Sequence, residues 1–469
     1  VPILALAVLF FAWQGATPGR CAWRGALFGL GLFGVGVSWV QVSIHEFGLP
    51  VLAVSVSLTA GFVLFMSAYP LLAGWLAARL GRGVSRVAAL LGLWPAVWVL
   101  SEWLRGSLFR GFPWLLTGYS QIDGPLAGLA PVAGAYGVGL AAAICAGGAV
   151  LAAGGGARAR LTGGIAIVAL LALGAALGRV SWTDPSGARL RIALIQGAVP
   201  QAIKWRPAER ERTLGAYLSL TEPYWGADLI VWPETAIPAF PSEVAEYLEA
   251  LDRRARAEGT AVLIGMPVPS ADRKRYYNGV LALGRGRGVY HKRHLVPFGE
   301  YLPFRPVLDG VLEWLRLPVS SFSPGDAEQP PITAADLRVG VSVCYESAYS
   351  GEIRRALPQA QLLVNVSNDA WFGDSLAPAQ HLEIARMRAL EAGRYLLRAT
   401  NTGISAVIDP RGEVLARSPQ FEPYALAAQV EGRGGTTFYA RFGDLPLMLV
   451  MLVIALASLG AGRTTPAPP

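Results

Sequence analysis

The sequence predicts two unlike parts, a polytopic α-helical membrane domain and an exported α/β domain. Three observations predict them. Apolar segments of roughly 20 residues, the length that crosses a bilayer core, recur through the first 178 residues and once more near the end. Between them, residues 179–443 hold 30 of the 40 Lys and Arg residues and 28 of the 32 Asp and Glu residues, the density of a water-facing domain with ample length for its own core. Within that stretch, short runs rich in Val, Ile and Leu alternate with helix-like stretches, the pattern of layered α/β domains.

The apolar segments run over residues 1–15, 25–43, 51–78, 88–104, 125–153, 161–178 and 445–462. They divide the chain into membrane helices at 1–178, the exported domain at 179–443, a last membrane helix at 444–463 and a tail at 464–469. Taken in order, the loops with Arg20 and Arg24, with Arg79, Arg82 and Arg86, with Arg158 and Arg160, and the tail with Arg463 fall on one side. The excess of arginine marks that side as cytoplasmic and sends residues 179–443 into a periplasm-like space. No basic region precedes the first run and further spans follow it, so it does not read as a cleavable signal peptide. That run begins on the outer face, so one further helix is expected ahead of Val1. Most of the net charge of +8 belongs to the membrane part, which carries 10 basic residues against 4 acidic, and is not a nucleic-acid footprint. A transporter with an exported domain ranks low, since only Glu102 stands clearly inside a span.

Within the exported part, strands are expected at Leu190–Gln196, Asp228–Trp232, Ala261–Met266, Asn278–Leu283, Leu337–Cys344, Gln361–Ser367 and Gly403–Ile408. Helices are expected at Pro207–Leu220, Ser242–Ala257, Gly351–Ala356 and His381–Arg398. The last places Leu382, Ala385, Ala389, Ala392 and Leu396 at helical spacing.

Three of these runs carry chemistry. The strand Leu229–Trp232 meets Pro233, which cannot continue a ladder, and so delivers Glu234 at its exit. Residues 291–300 join a basic cluster containing Lys292 to a turn and a second carboxylate, Glu300. The strand ending at Val343 delivers Cys344, followed by Tyr345 and Glu346. Cys344 is alone in the exported part, so no disulfide forms within it, and an unpaired thiol on the oxidising side of a membrane is a reactive candidate. A thiol is mostly protonated near neutral pH and needs a base or a cation close by, and this domain supplies both. Taken singly, each signal has an ordinary reading: Glu234 as a salt-bridged surface carboxylate, Lys292 as part of a solvated face, Cys344 as a small buried hydrophobe.

Together the blocks Val231-Trp232-Pro233-Glu234, Lys292 with Pro297-Phe298-Gly299-Glu300, and Val343-Cys344-Tyr345-Glu346 resemble the three catalytic blocks of the nitrilase superfamily of carbon–nitrogen hydrolases. The resemblance implies an αββα sandwich and a Glu-Lys-Cys triad at Glu234, Lys292 and Cys344. Phe112-Pro113-Trp114, Gly118–Pro125, Val199-Pro200-Gln201, Lys204-Trp205, Ser367–Gly373 and Ala385–Glu391 resemble the apolipoprotein N-acyltransferase family, and this likeness covers nearly the whole chain. It implies an enzyme of the bacterial inner membrane that works without a cofactor. A phospholipid, phosphatidylethanolamine foremost, would donate an acyl chain to Cys344. The acceptor partner would be the α-amino group of a diacylglyceryl-modified apolipoprotein, and the protein would act as a monomer. Glu234 would be the base, Lys292 and the backbone N–H of Tyr345 the oxyanion donors, and Glu300 and Glu346 the supports of Lys292 and the thiol loop. Trp205, Trp371 and Phe372 are candidates for lining the acyl channel.

Tyr301–Phe322 is apolar enough to serve as an arm dipping into the membrane interface, or to pack as a core helix. Arg105 and Arg110 flank a Gly/Pro/aromatic segment placed to meet phosphate headgroups at the outer interface. No metal site is expected, because His45, His291, His294 and His381 lack zinc spacing and thiolate partners. A membrane-anchored amidase would use the same triad and hand the acyl group to water. The apolar arm and the membrane scaffold favour the transferase.

Overall fold

The computed structural model describes residues 1–48, 50–301 and 322–462. The expected arm at 301–322 therefore lies almost wholly outside the described residues. The chain divides into two compact units: Val1–Gln41 with Val51–Ser181 and Thr437–Pro469, and Val42–Pro50 with Trp182–Thr436.

The first unit is helical. Its helices are α1 (Pro2–Trp13), α2 (Pro18–Gly36), α3 (Trp39–Phe47, whose second half belongs to the other unit), α4 (Leu52–Leu80), α5 (Arg86–Arg110), α6 (Pro125–Gly154) and α7 (Ala157–Leu177), with a C-terminal helix at Leu445–Gly462. Four of them, α4 to α7, are long and apolar enough to cross a membrane, and the pair α2 and α3 would make a fifth with a 52° bend. The expected span at 25–43 is thus shifted and broken: Thr17 caps α2, Pro18 occupies its first turn, and the helix stops at Val37. Helix α1, at 12 residues, is shorter than the ~20 needed for a crossing. Arg105 does not face headgroups. It is buried and donates to the carbonyls of Phe112 and Trp114, at 2.6 and 2.5 Å, while Glu102 accepts from the N–H and hydroxyl of Thr117. Backbone groups of the irregular segment after α5 need partners in an apolar surround, and these two side chains supply them. Arg110 is exposed.

The second unit is built on two six-stranded sheets. Its strands are β1 (Thr183–Gln196), β2 (Leu229–Val231), β3 (Ala261–Pro269), β4 (Tyr276–Gly284), β5 (Val289–His291), β6 (Ile332–Ala334), β7 (Leu337–Val343), β8 (Leu362–Ser367), β9 (Leu396–Thr400), β10 (Ala406–Ile408), β11 (Val414–Arg417) and β12 (Tyr424–Gly435). The sheet orders are β12-β1-β2-β3-β4-β5 and β11-β10-β9-β8-β7-β6. At the centre of each lie parallel neighbours, β1-β2-β3 in the first and β7-β8-β9 in the second.

Alternation along each strand sends side chains to two different cores. Ile192, Leu194, Leu229, Val231 and Leu263 meet Val339, Val341, Val343, Val364 and Leu397 between the sheets. Ala193, Ile195, Ile230, Val262 and Ile264 face the other way, against Leu214 and Tyr217 of α8 (Arg210–Thr221) and Leu248 and Leu251 of α9 (Ala245–Ala257). On the far side, Leu363, Leu396 and Ala406 pack on Leu382, Ala385 and Ala389 of α10 (Ala377–Ala392). The result is the four-layer αββα sandwich, and burial on both faces explains why its strands read as continuous apolar runs.

One expected helix is corrected. Gly393, at φ +62°, adopts the left-handed conformation that ends α10 after Ala392, and Leu396–Thr400 is strand β9. Leu396 fits the helical spacing, yet it reaches the same core from the sheet side. Strands β5, β6, β11 and β12 are additions, the last from a Gly-, Ala- and Glu-containing run that pairs along the length of β1.

Candidate active site

The site forms where β2 and β7 end. Chain direction puts the exits of parallel strands at one edge of an α/β sheet, where reacting groups collect. Past β2, Glu234 sits in a turn against Gly265 of β3; a Cβ at Gly265 would come within 2.3 Å of the Pro233 carbonyl and 2.7 Å of the Glu234 Cα. Past β7, Cys344 opens a 3-10 turn with φ +51°, a strained value for a residue with a side chain. Lys292 follows β5. All three side chains are buried.

Lys292 Nζ lies 2.8 Å from Glu300 Oε2 and 3.7 Å from Glu234 Oε1. Asn278 of β4 donates to both carboxylates, at 2.6 Å to Glu234 Oε1 and 2.9 Å to Glu300 Oε1, and Val296 N–H donates to Glu300 Oε2. Glu234 Oε2 is buried with no hydrogen-bond partner among the described residues. Burial opposes charge on Lys292, but Glu300, Glu234 and the Cys344 thiol outweigh it and hold the ammonium above the ordinary lysine range. Burial, then the Glu234 charge, pushes the Cys344 thiol up to about 12, with Lys292 offsetting part of the rise. A thiol in that range keeps its proton near neutral pH, so a nucleophilic role for it would call on a base.

Glu346 ties the two sheets together at this edge. It accepts from Tyr290 of β5, from the N–H groups of Arg293 and His294 beyond it, and from the N–H of Val343 at the end of β7. Burial raises its carboxyl to about 6, against those bonds. The Tyr345 ring meets His294 and Tyr349 edge-on. Lys204, also buried, donates to the Glu234 carbonyl at 3.1 Å; burial lowers it to about 8 despite the Glu234 charge. Asn368 donates to Gln201 at 2.8 Å, tying the segment before Trp205 to the turn bearing Trp371 and Phe372. Trp205 and Trp371 are 49% and 41% exposed, and Phe372 is half-buried. Ser43 donates to the Trp371 carbonyl at 2.7 Å and Phe47 packs edge-on against its ring.

Behind the thiol lies a network that the sequence reading missed. Arg398 of β9 donates to Asp369 Oδ2 at 2.6 Å and to Asn365 Oδ1 at 2.7 Å, and stands 3.0 Å from His381 Nδ1. Ser367 and His381 complete the shell of Asp369 Oδ1. Burial alone would raise Asp369, but Arg398 and His381 hold it well below the usual carboxylate range, while burial, with Arg398, lowers His381. Asp369 lies in the Ser367–Gly373 motif, but a helix running to Arg398 would not bring that residue to Asp369 and Asn365 together. Only the pairing of β8 with β9 brings them together.

The two-sheet unit matches the Carbon-nitrogen hydrolase family over residues 191–434, and the helical unit matches the Apolipoprotein N-acyltransferase N-terminal domain over residues 1–148. Fold and site thus define a carbon–nitrogen hydrolase domain carried with a membrane-type helical unit. Relatives similar along nearly the whole chain are named apolipoprotein N-acyltransferase. The one from Methylococcus capsulatus is 48% identical, covering 94% of this chain and 88% of its own length. Those from Nitrosomonas europaea and Azotobacter vinelandii are 42% and 40% identical, covering 98% and 99% of this chain and 93% and 92% of theirs. The chain belongs to the apolipoprotein N-acyltransferase family.

Proposed function

We propose that this chain is a membrane acyltransferase of lipoprotein maturation, carrying a fatty acyl group from a phospholipid to an apolipoprotein through a thioester on Cys344. The observation that carries the reading is Glu234 Oε2, a buried carboxylate oxygen with no hydrogen-bond partner among the described residues, on a side chain that lies beside Lys292 and whose charge acts on the Cys344 thiol. A base needs an open lone pair, and here it has one.

Glu234 takes the thiol proton as sulfur attacks the ester carbonyl carbon. Lys292 and the Tyr345 N–H stabilise the oxyanion, a charge present only in the transition state and intermediate. The carbon–oxygen bond to the glycerol then breaks, the leaving alkoxide takes the proton from Glu234, and a lysophospholipid departs. In the second half, the neutral α-amino group of an N-terminal S-diacylglyceryl-cysteine attacks the thioester. Glu234 takes one amine proton and returns it to the departing sulfur, leaving an amide and the starting enzyme. An α-amino group with a pKa of about 8 keeps an appreciable neutral fraction at neutral pH. Glu300 holds Lys292, and Glu346 holds the thiol loop. Trp205, Trp371 and Phe372 receive the acyl chain. Phosphatidylethanolamine is the proposed donor, the protein acts as a monomer, and a periplasmic side for Trp182–Thr436 is supported by the basic loops of the helical unit.

The test is peptide-mass spectrometry on purified protein given phosphatidylethanolamine of known chains, beside a Cys344→Ala control, followed by a diacylglyceryl-cysteine peptide. An acyl-sized increase on the Cys344 peptide that the lipopeptide removes as an amide supports the reading. Release to water alone would make the chain a hydrolase, and absence of any adduct on folded protein would remove Cys344 as the carrier.

A further inference from the structure

The carbonyl oxygen of Cys344 is held from behind by three side chains. Ser347 Oγ donates to it at 3.0 Å, His381 Nε2 stands 3.2 Å away and Asn365 Nδ2 is at 3.4 Å. A carbonyl accepts and cannot donate, so a hydrogen bond from His381 to it uses a hydrogen on Nε2, which also stands 2.8 Å from Ser347 Oγ. On the other side of the ring, Nδ1 stands 3.0 Å from Arg398 Nη2 and 3.1 Å from Asp369 Oδ1, so the Arg398–Asp369 pair fixes the orientation of the ring. The same guanidinium donates to Asn365 Oδ1, which turns the Asn365 amide so that its NH₂ faces Cys344. One buried arginine therefore orients two of the three groups on that carbonyl. Asp369, at 2.6 Å, balances its charge.

The peptide unit is planar and trans, so the carbonyl of Cys344 and the N–H of Tyr345 belong to one rigid plane and point in opposite directions. Anchoring the carbonyl behind the loop aims that N–H toward the front. At Cys344 the backbone sits at φ +51°, a conformation that persists only where the surroundings enforce it. We propose that His381 and Arg398 are positioning residues for acyl transfer: by pinning the Cys344 carbonyl they aim the Tyr345 N–H at the oxyanion. The inference rests on the thioester reading above. It adds that the polar network behind the loop serves the transition state rather than the resting thiol.

The experiment compares two reactions of Cys344 in the full-length protein in detergent, both followed by peptide mass. Acylation by phosphatidylethanolamine in mixed micelles passes through an oxyanion. Alkylation by iodoacetamide, a displacement at a saturated carbon, does not. His381→Ala is expected to lower the saturating rate of acylation by about 10- to 100-fold with KM unchanged, the mark of an interaction made only in the transition state. Alkylation stays within about twofold, because a mispositioned N–H has no part in it. His381→Gln, whose amide N–H can take the place of Nε2, recovers most of the acylation rate. Acylation at the wild-type rate in His381→Ala overturns the proposal. So does a parallel fall of acylation and alkylation, which makes the network a general support of the thiol. If His381→Ala does not yield folded protein by thermal melting, Ser347→Ala and Arg398→Lys carry the same split between the two reactions, and its absence in both overturns the proposal. Failure of this inference is distinct from failure of the thioester reading. In the first case wild-type protein forms the Cys344 adduct and the variants match it, and in the second wild type forms none.

Discussion

Glu234 in front of the thiol loop and Asp369 behind it are both buried, yet they are equipped differently. Asp369, behind, has both oxygens taken, by Ser367 and His381 on one and Arg398 on the other. Glu234, in front, has Asn278 and Lys292 beside Oε1 and nothing on Oε2 among the described residues. A carboxylate that only holds a cation is best saturated, whereas one that accepts a proton must keep a lone pair open. The difference separates a group suited to moving a proton from one suited to holding geometry.

The sharpest way to break that contrast begins between the two. Cys344→Ala should abolish the adduct and lower amide formation by at least about 10⁴-fold, as loss of a nucleophile does. Transfer surviving at a measurable fraction of wild type, read as lipopeptide mass, would move the chemistry elsewhere. In front, Glu234→Gln preserves shape and the Asn278 contact but cannot accept a proton, so acylation should fall by about 10²- to 10⁴-fold. An unchanged single-turnover rate would show that the open oxygen has no role in proton transfer.

Behind the loop, the expected effect is on stability first. Asp369→Asn leaves the buried Arg398 without its charge partner, which costs about 3–5 kcal/mol of unfolding free energy. The folded Asp369 carboxyl lies below its ordinary value, so its stabilisation is complete above about pH 4 and is lost as pH falls further. The gap between wild type and variant in denaturant melts should therefore narrow on acidification, and a pH-independent gap would deny the ion pair that contribution.

Two glycines compare front and back by sterics alone. A Cβ at Gly265 would lie 2.3 Å from the Pro233 carbonyl and push on Glu234, and one at Gly403 would lie 2.3 Å from Asp369 Oδ2. Gly265→Ala should cost about 100-fold in acylation, as a displacement near 1 Å does, and should lower the melt as well, because every atom that its Cβ meets is backbone. Gly403→Ala should lower the melt first. Equal behaviour of the two variants would erase the distinction.

The smallest effect belongs to Glu346. Its folded carboxyl, at about 6, stands above the ordinary 4.5, so the native state holds the proton more tightly than the unfolded chain. Stability from this group is present below about pH 4.5 and lost as pH rises through about 6, roughly 2 kcal/mol in all. Glu346→Gln should flatten that part of the stability profile, and an unchanged slope between pH 4 and 7 would remove Glu346 as its source.

Much of this architecture was legible in the chain. Strands buried on both faces write themselves as apolar runs, and Pro233 and the lone Cys344 mark where two of them end. For four of the seven expected spans, hydropathy also located helices long and apolar enough to cross a membrane, because a segment of that length and apolarity has few other stable environments. Local pattern could not say that Leu396 belongs to a sheet, since its spacing suits a helix equally well and only Gly393 at positive φ ends α10 before it. Nor could spacing pair Glu234 with Asn278, 44 residues apart, or bring Arg398 to Asp369 and Asn365. Those meetings are made by strand order, in which β3 lies between β2 and β4 and β8 lies between β7 and β9. Residue types and strand exits are local properties that sequence alone determines. Which oxygen is saturated and which is left open depends on contacts between distant strands, so the tertiary structure decided it.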